Sequence, residues 1–323
     1  MLGDNTLRLD KMLSWKYAHM TGGDVVKDMK MNHLVDFSKS FVQQSVQRVG
    51  ELFAEREHSS SYKLPENLGV VHHIGISRDG AQMPVCPSGW REAMCGSISF
   101  YDVEGQRLHT IYKACSPEYG TETFQSLMDS EVAAVKKMYP TCDYIGIADG
   151  AKANWKHLEN YADIQILDFF HASEYVNDAA KTLYPSDKTA QEVWAKKTCH
   201  TLKHSPNGAA KILKELKSFT KPPARKAKMQ LLTQTQKDAL QVIITYFSNH
   251  LVQMDYATFL QKGYPIGSGI IESACKRLVK QRFSGSGMKW NIATANGLLL
   301  LRGLVLTEGR WEQAWSHFRK NSA

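Results

Sequence analysis

Pro265-Ile266-Gly267-Ser268-Gly269-Ile270-Ile271-Glu272-Ser273-Ala274-Cys275-Lys276-Arg277-Leu278-Val279-Lys280-Gln281-Arg282 is the stretch on which the reading of this chain turns. A proline and two glycines break the chain, and Ser268 is placed to cap a helix after them. Ile270, Ala274 and Leu278 recur every four residues, the spacing of a buried helical stripe. Glu272, Lys276 and Lys280 are also four apart and so share another face. One reading of that face is a surface ion pair, worth roughly 0.3–0.5 kcal/mol. The other is a metal-binding carboxylate beside lysines that hold phosphates. The stretch alone favours the first reading; the sequence upstream of it favours the second.

The 323 residues suffice for one large domain with insertions or for two or three small ones. Hydrophobic content of 43% and charged content of 22% are those of a globular protein. A net charge of +8 and a pI near 9.0 fit a polyanionic partner. No apolar run approaches the roughly 18 residues of a membrane span, and the N-terminus lacks the apolar core of a signal peptide. The six cysteines form no Cys-x-x-Cys pair, so free thiols in a reducing cytoplasm are expected.

Residues 1–62 read as a helical region. Leu9, Met12, Leu13 and Tyr17 mark a first helix, Gly22-Gly23 a break, and Val25–Met31 a short second helix. Ser38 opens a longer one with Val42, Val46, Val49 and Phe53 on one stripe and Gln43, Gln44, Gln47 and Arg48 opposite. A helix-turn-helix DNA reader has this pattern, as does any three-helix bundle. From residue 63 to 171 the period changes. Strands are expected at Leu68–Ser77, ending near Asp79-Gly80, at Met94–Tyr101, Arg107–Lys113, Tyr144–Ala148 and Ile164–Leu167. Helices are expected at Thr121–Tyr139 and Ala153–Asn160. The adjacent His72 and His73 point to opposite faces and are not a shared metal site. A meander followed by βαβ units predicts an α/β fold, a mixed five-stranded sheet with helices on both faces.

Residues 172–264 read as an all-helical insertion. Lys196 to Lys228 holds ten Lys/Arg against one acid, Glu215, a net excess of nine. Such a run is either a solvated face or a phosphate-binding surface. Cys199, His200 and His204 make a weak zinc set with no fourth ligand in view. Residues 265–323 bring the Glu272 helix, a glycine loop at Phe283–Trp290, an apolar helix at Ala293–Leu306 and a last helix with Trp311 and Trp315.

Asp79, Asp149 and Glu272 stand out together. Singly, Asp79-Gly80 and Asp149-Gly150 are common turn dipeptides and Glu272 a surface ion pair. Jointly, two strand-end aspartates and a late helical glutamate form the set that metal-dependent phosphoryl transfer uses. At this point the chain resembles the DDE transposases of bacterial insertion sequences, most closely the ISKra group, from about residue 24 to 310. The resemblance rests on Asp79-Gly80 with Trp90-Arg91-Glu92, on Ala148-Asp149-Gly150-Ala151 with Trp155, and on Leu167-Asp168-Phe169-Phe170-His171-Ala172. Its most specific block is Pro265–Gly269 through Glu272 to Lys280-Gln281-Arg282, followed by Ser286-Gly287-Met288-Lys289-Trp290.

The resemblance implies a ribonuclease H-like core in which Asp79, Asp149 and Glu272 hold two Mg²⁺ (or Mn²⁺) ions, with His171 beside them. It implies strand cleavage at element ends in double-stranded DNA, then strand transfer to target DNA, by a homodimer or larger assembly. DNA contacts are expected from Lys276, Lys280 and Arg282 and from Lys221, Arg225, Lys226 and Lys228. Localisation would be cytoplasmic and nucleoid-associated, with no membrane partner. Such enzymes carry a longer N-terminal region, often with cysteine metal sites, than is seen here. Arg78 is expected to point away from the face that carries Asp79. Asp168 reads either as an N-cap of the helix that follows or as a neighbour of the metals. Two alternatives keep their place: a ribonuclease H-like nuclease or resolvase without strand transfer, and a non-catalytic DNA-binding remnant.

Overall fold

The computed structural model describes residues 6–56, 62–118, 120–220 and 232–320. Helix α1 (Leu7–His19) starts where the Thr6 hydroxyl accepts from the Leu9 N–H, and Thr21 does the same for α2 (Gly22–His33). Helix α3 spans Lys39–Arg56. Strands β1 (His73–Val85), β2 (Gly89–Tyr101) and β3 (Arg107–Cys115) follow. Next come α4 (Glu122–Met138), β4 (Asp143–Ala148), α5 (Lys152–Leu158) and β5 (Ile164–Leu167). Helices α6 (Phe169–Leu183), α7 (Lys188–His204), α8 (Gly208–Thr220), α9 (Gln234–Asn249) and α10 (Tyr256–Gln261) form the helical run. Helix α11 (Gly269–Cys275) continues through a π-helical turn, Lys276–Lys280, into α12 (Gln281–Phe283). Helices α13 (Ile292–Leu306) and α14 (Arg310–Lys320) complete the order.

The protein is α/β, with a five-stranded mixed sheet ordered β3-β2-β1-β4-β5. No helix among the described residues is long and apolar enough to cross a membrane. The chain divides into two compact units. One comprises Met1–Asp102, Arg107–Cys142 and Gly269–Ala323, the other Val103–Gln106 and Asp143–Ser268.

In the first unit β1, β2 and β3 form an antiparallel meander, with β1 paired to β2 from His73↔Tyr101 to Val85↔Gly89. The expectation that the first strand ends near Asp79-Gly80 is corrected: Asp79 lies mid-strand, opposite Cys95. Gly80 makes no turn, because β2 supplies a partner on both sides of it. Its missing Cβ makes room for Glu92, whose carboxyl carbon would lie 2.2 Å from a β-carbon there. The turn comes later, and Gly89 (φ 79°) opens the return strand.

One face of the meander, carrying Ala81, Met83, Val85 and Cys95, packs in a single core with Ile271, Ala274, Cys275, Leu278 and Val279. The predicted stripe of α3 (Val42, Val46, Val49, Phe53) joins the same core. α3 and α13 cross at Gly50 and Gly297, where a β-carbon on Gly50 would meet the Gly297 Cα at 2.9 Å. On the other face, Gly96 admits Met128 and Phe124 of α4. Arg48, expected on the polar face of α3, instead pairs with the buried Asp10 at 3.4 Å.

The second unit holds the parallel pair β4–β5, in register from Ile145↔Ile164 to Ala148↔Leu167, and the helices α6–α10. Asp187 caps α7, and a capping box of Thr233 and Gln236 starts α9. On α7 and α8, Lys196, Lys197, Lys211, Lys214 and Lys217 are exposed. Lys221, Arg225, Lys226 and Lys228 lie outside the described residues.

A buried ion triad ties β3, α4 and α14. Glu131 Oε2 lies 2.6 Å from both Lys113 Nζ and Arg310 Nη2, and all three side chains are at most 7% exposed. Burial by itself pushes the Glu131 carboxyl up, but Lys113 and Arg310 outweigh it and hold the group down at about 2. A carboxylate whose pKa falls on folding stabilises the fold above its unfolded value and loses that contribution as pH drops toward the folded value. Stability should therefore decline between about pH 4.5 and pH 2, by an amount on the order of a few kcal/mol from this group. Urea unfolding at stepped pH is the measurement, with Glu131→Gln expected to be less stable at pH 7 and to show a flatter acid limb. An unchanged limb in that variant would refute the assignment.

Candidate active site

In the first unit Asp79 is half-buried on the β1 face that meets α11. Its Oδ1 accepts from the Gly80 N–H at 2.7 Å, and its Oδ2 from the Cys275 thiol at 3.6 Å. Cys275 is held as a thiol, since its hydrogen bond to Cys95, then burial and the Asp79 charge, raise its pKa far above the ordinary value. Asp79 is thus held by two donors. Arg78 pairs with Gly96 on the opposite face, as the strand period requires.

Glu272 is exposed on α11, three residues before the Cys275 that touches Asp79. Lys276 and Lys280 are exposed in the π turn and have no carboxylate partner among the described residues, so the surface ion pair with Glu272 is not formed. Arg282 differs from the two lysines. It is 3% exposed, donates Nε–H to the Tyr17 carbonyl at 2.9 Å, and stacks on the Tyr17 and Trp290 rings.

In the second unit Asp149 follows the last residue of β4. Its Oδ1 accepts from the Ala151 N–H at 3.0 Å and the Asn154 amide at 2.9 Å, while Oδ2 accepts no hydrogen bond among the described residues. Asp149-Gly150 is a true turn: Gly150 has φ 96°, and a β-carbon there would meet Tyr246 and Leu167 within 3.2 Å. Asp168 sits at the end of the adjacent strand, and its N–H reaches the Ala148 carbonyl at 2.8 Å.

The carboxylate of Asp168 is fully buried. Oδ1 caps α6 by accepting from the Phe170 N–H at 2.8 Å, and Oδ2 accepts from the Ser268 hydroxyl. His171 Nε2 lies 4.0 Å from Asp168 Oδ2, and its Nδ1 lies 3.2 Å from Glu174.

Two tyrosines close this corner. Tyr246 donates to the Asp149 carbonyl at 3.0 Å and Tyr256 to the Leu167 carbonyl at 2.9 Å. Burial first, then the neighbouring phenols and carboxylates, raise both phenols, so they remain donors. Neither had a local signal in the sequence, since each comes from a helix some way along the chain. Asn154 and Cys275 carried signals legible only after the fact, one residue or one turn from a motif. The carboxylates present are hard oxygen donors with open lone pairs, the ligand type that magnesium and manganese take. No protein-family model and no curated protein matches the sequence.

Asp168→Ala removes the cap and leaves the Ser268 hydroxyl buried without its acceptor, a cost of about 1–3 kcal/mol. His171→Ala, at a partly exposed side chain, should cost under about 0.5 kcal/mol. Urea midpoints decide the matter: equal stability of the two variants would mean that Asp168 does not anchor this corner.

Proposed function

We propose that this chain is a DDE-type transposase of the ISKra kind, with a ribonuclease H-like core, that cuts and joins DNA at the ends of an insertion sequence. The observation that carries the reading is the placement of its acidic residues within each unit. Asp79 lies on the strand face that packs against the Glu272 helix, and Asp149 and Asp168 lie side by side just beyond paired parallel strands. In mixed α/β sheets strand ends are where reacting groups gather. The strand order, a meander followed by a parallel pair, supports the same core.

Asp79, Asp149 and Glu272 would hold two Mg²⁺ or Mn²⁺ ions. Bound there, such ions activate a water or a 3′-hydroxyl and stabilise the leaving oxygen. The chain's own contribution is orientation. Gly80 and Cys275 fix the Asp79 carboxylate, and Ala151 and Asn154 turn Asp149 so that one oxygen remains for a cation. His171 orients a scissile phosphate, with Glu174 setting its ring. The unpaired Lys276 and Lys280, the exposed lysines of α7 and α8, and Lys221, Arg225, Lys226 and Lys228 take DNA phosphates. Two element ends require a dimer or larger assembly.

The test is cleavage of DNA carrying the sequences that flank the coding segment, in Mg²⁺. Asp149→Asn should abolish cleavage, and His171→Ala should cut it at least about tenfold, while both keep DNA binding. Wild-type-like cleavage by Asp149→Asn would overturn the metal role. Cleavage without strand joining by the native protein would identify a nuclease or resolvase, and binding without cleavage a DNA-binding remnant.

A further inference from the structure

Within the first unit a cavity of about 560 Å³ opens between α3 and the Ser286–Asn291 loop. Its walls hold Lys39, Gln43 and Gln47 from α3, Lys289 from the loop, and Arg282. No aspartate or glutamate lines it. Arg282 is the key group. Its side chain is almost wholly buried, its Nε donates to the Tyr17 carbonyl, and it forms part of the cavity wall. A guanidinium in the wall of a cavity lined by no carboxylate is a receptor for an oxyanion, which it binds through paired N–H groups. Tyr17 and Trp290 clamp it from their ring faces at 4.6 and 5.0 Å, so its position is set in advance.

Lys39 and Lys289 are exposed and likewise without a carboxylate partner among the described residues. Asp24, whose charge Arg282 feels, accepts from the Thr21 hydroxyl. The cavity is far larger than a bare anion needs and lies within the range of small-molecule sites, roughly 300–1,000 Å³. The amides of Gln43 and Gln47 add donors and acceptors of the kind that read base edges. We propose that this cavity binds one nucleotide unit, its phosphate on Arg282, Lys39 and Lys289 and its base toward Gln43 and Gln47. The phosphate chemistry stands on these residues alone; that the nucleotide belongs to a DNA strand rests on the transposase reading.

Calorimetry on the full chain at low salt tests it, with thymidine 5′-monophosphate, thymidine, inorganic phosphate and a 5′-phosphorylated single-stranded thymidine trinucleotide as probes. The monophosphate should bind at least tenfold more tightly than thymidine or inorganic phosphate. The exposed-site variant Lys39→Ala/Lys289→Ala should weaken it at least tenfold with an unchanged melting temperature, and Arg282→Lys, which keeps the charge but loses the fork, should weaken it too. Parity between the monophosphate and either control, or wild-type binding by the double variant, overturns the site. Tighter binding of the trinucleotide identifies a strand as the source, and tighter binding of the monophosphate a free nucleotide; both uphold the site. A protein that cleaves DNA but binds none of the phosphorylated probes refutes the cavity and spares the transposase reading. One that binds them but never cleaves does the reverse.

Discussion

The corner at the end of β5 depends on one fully buried carboxylate. Asp168 gathers the first turn of α6 through Phe170, the incoming segment through Ser268, and the end of β4 through its own N–H on Ala148. The adjoining Phe169 N–H adds a bond to the Ile266 carbonyl at 2.9 Å. An isolated buried charge is expensive to desolvate. Here neutral donors and the positive end of α6 face the buried group, with His171 Nε2 4.0 Å from its Oδ2. The arrangement ties two strand ends, beside Asp149 and His171, to a stretch nearly a hundred residues later in the chain.

The first unit solves a different electrostatic problem. Arg302 is buried in the core, and its guanidinium donates to the carbonyls of Leu278, Arg277 and Ala18. Burial, then Arg282 and Arg277, pull its pKa down to about 10, so it still carries its charge at neutral pH. The Leu278 and Arg277 carbonyls belong to the π turn, where the ordinary helical ladder is interrupted and acceptors are left over. One arginine thus joins α13, the end of α1 and the irregular part of the Glu272 helix.

Much of the architecture was legible because period and turn chemistry agree along most of the chain. Ile164–Leu167 was read to the residue, since a short β-branched run ends at an aspartate. The stripe of α3 was read from its alternating four- and three-residue spacing. The miss at Asp79-Gly80 has a physical cause. An Asp-Gly pair looks like a turn, but a continuous partner strand overrides local preference, and glycine served to admit Glu92 instead. Arg282 and Arg48 were read as surface cations because a sequence shows charge and not burial. Both turned inward, one to aromatic rings and one to Asp10. Tyr246 and Tyr256 were invisible because their partners are backbone carbonyls, which every residue offers alike.

The π turn at Lys276–Lys280 amounts to a helix that holds one residue too many. Each residue of an α-helix advances the phase by roughly 100°, so the extra residue sets the rotation of everything after it relative to Glu272. Loss of a single residue there would let the helix run on unbroken. It would also swing Gln281, Arg282 and Phe283 about a quarter-turn, taking Arg282 from between its two rings and Phe283 from the core. The helix therefore works as a phase key: its acidic end and its aromatic-clamped end keep their relative bearing only while the count between them stays as it is.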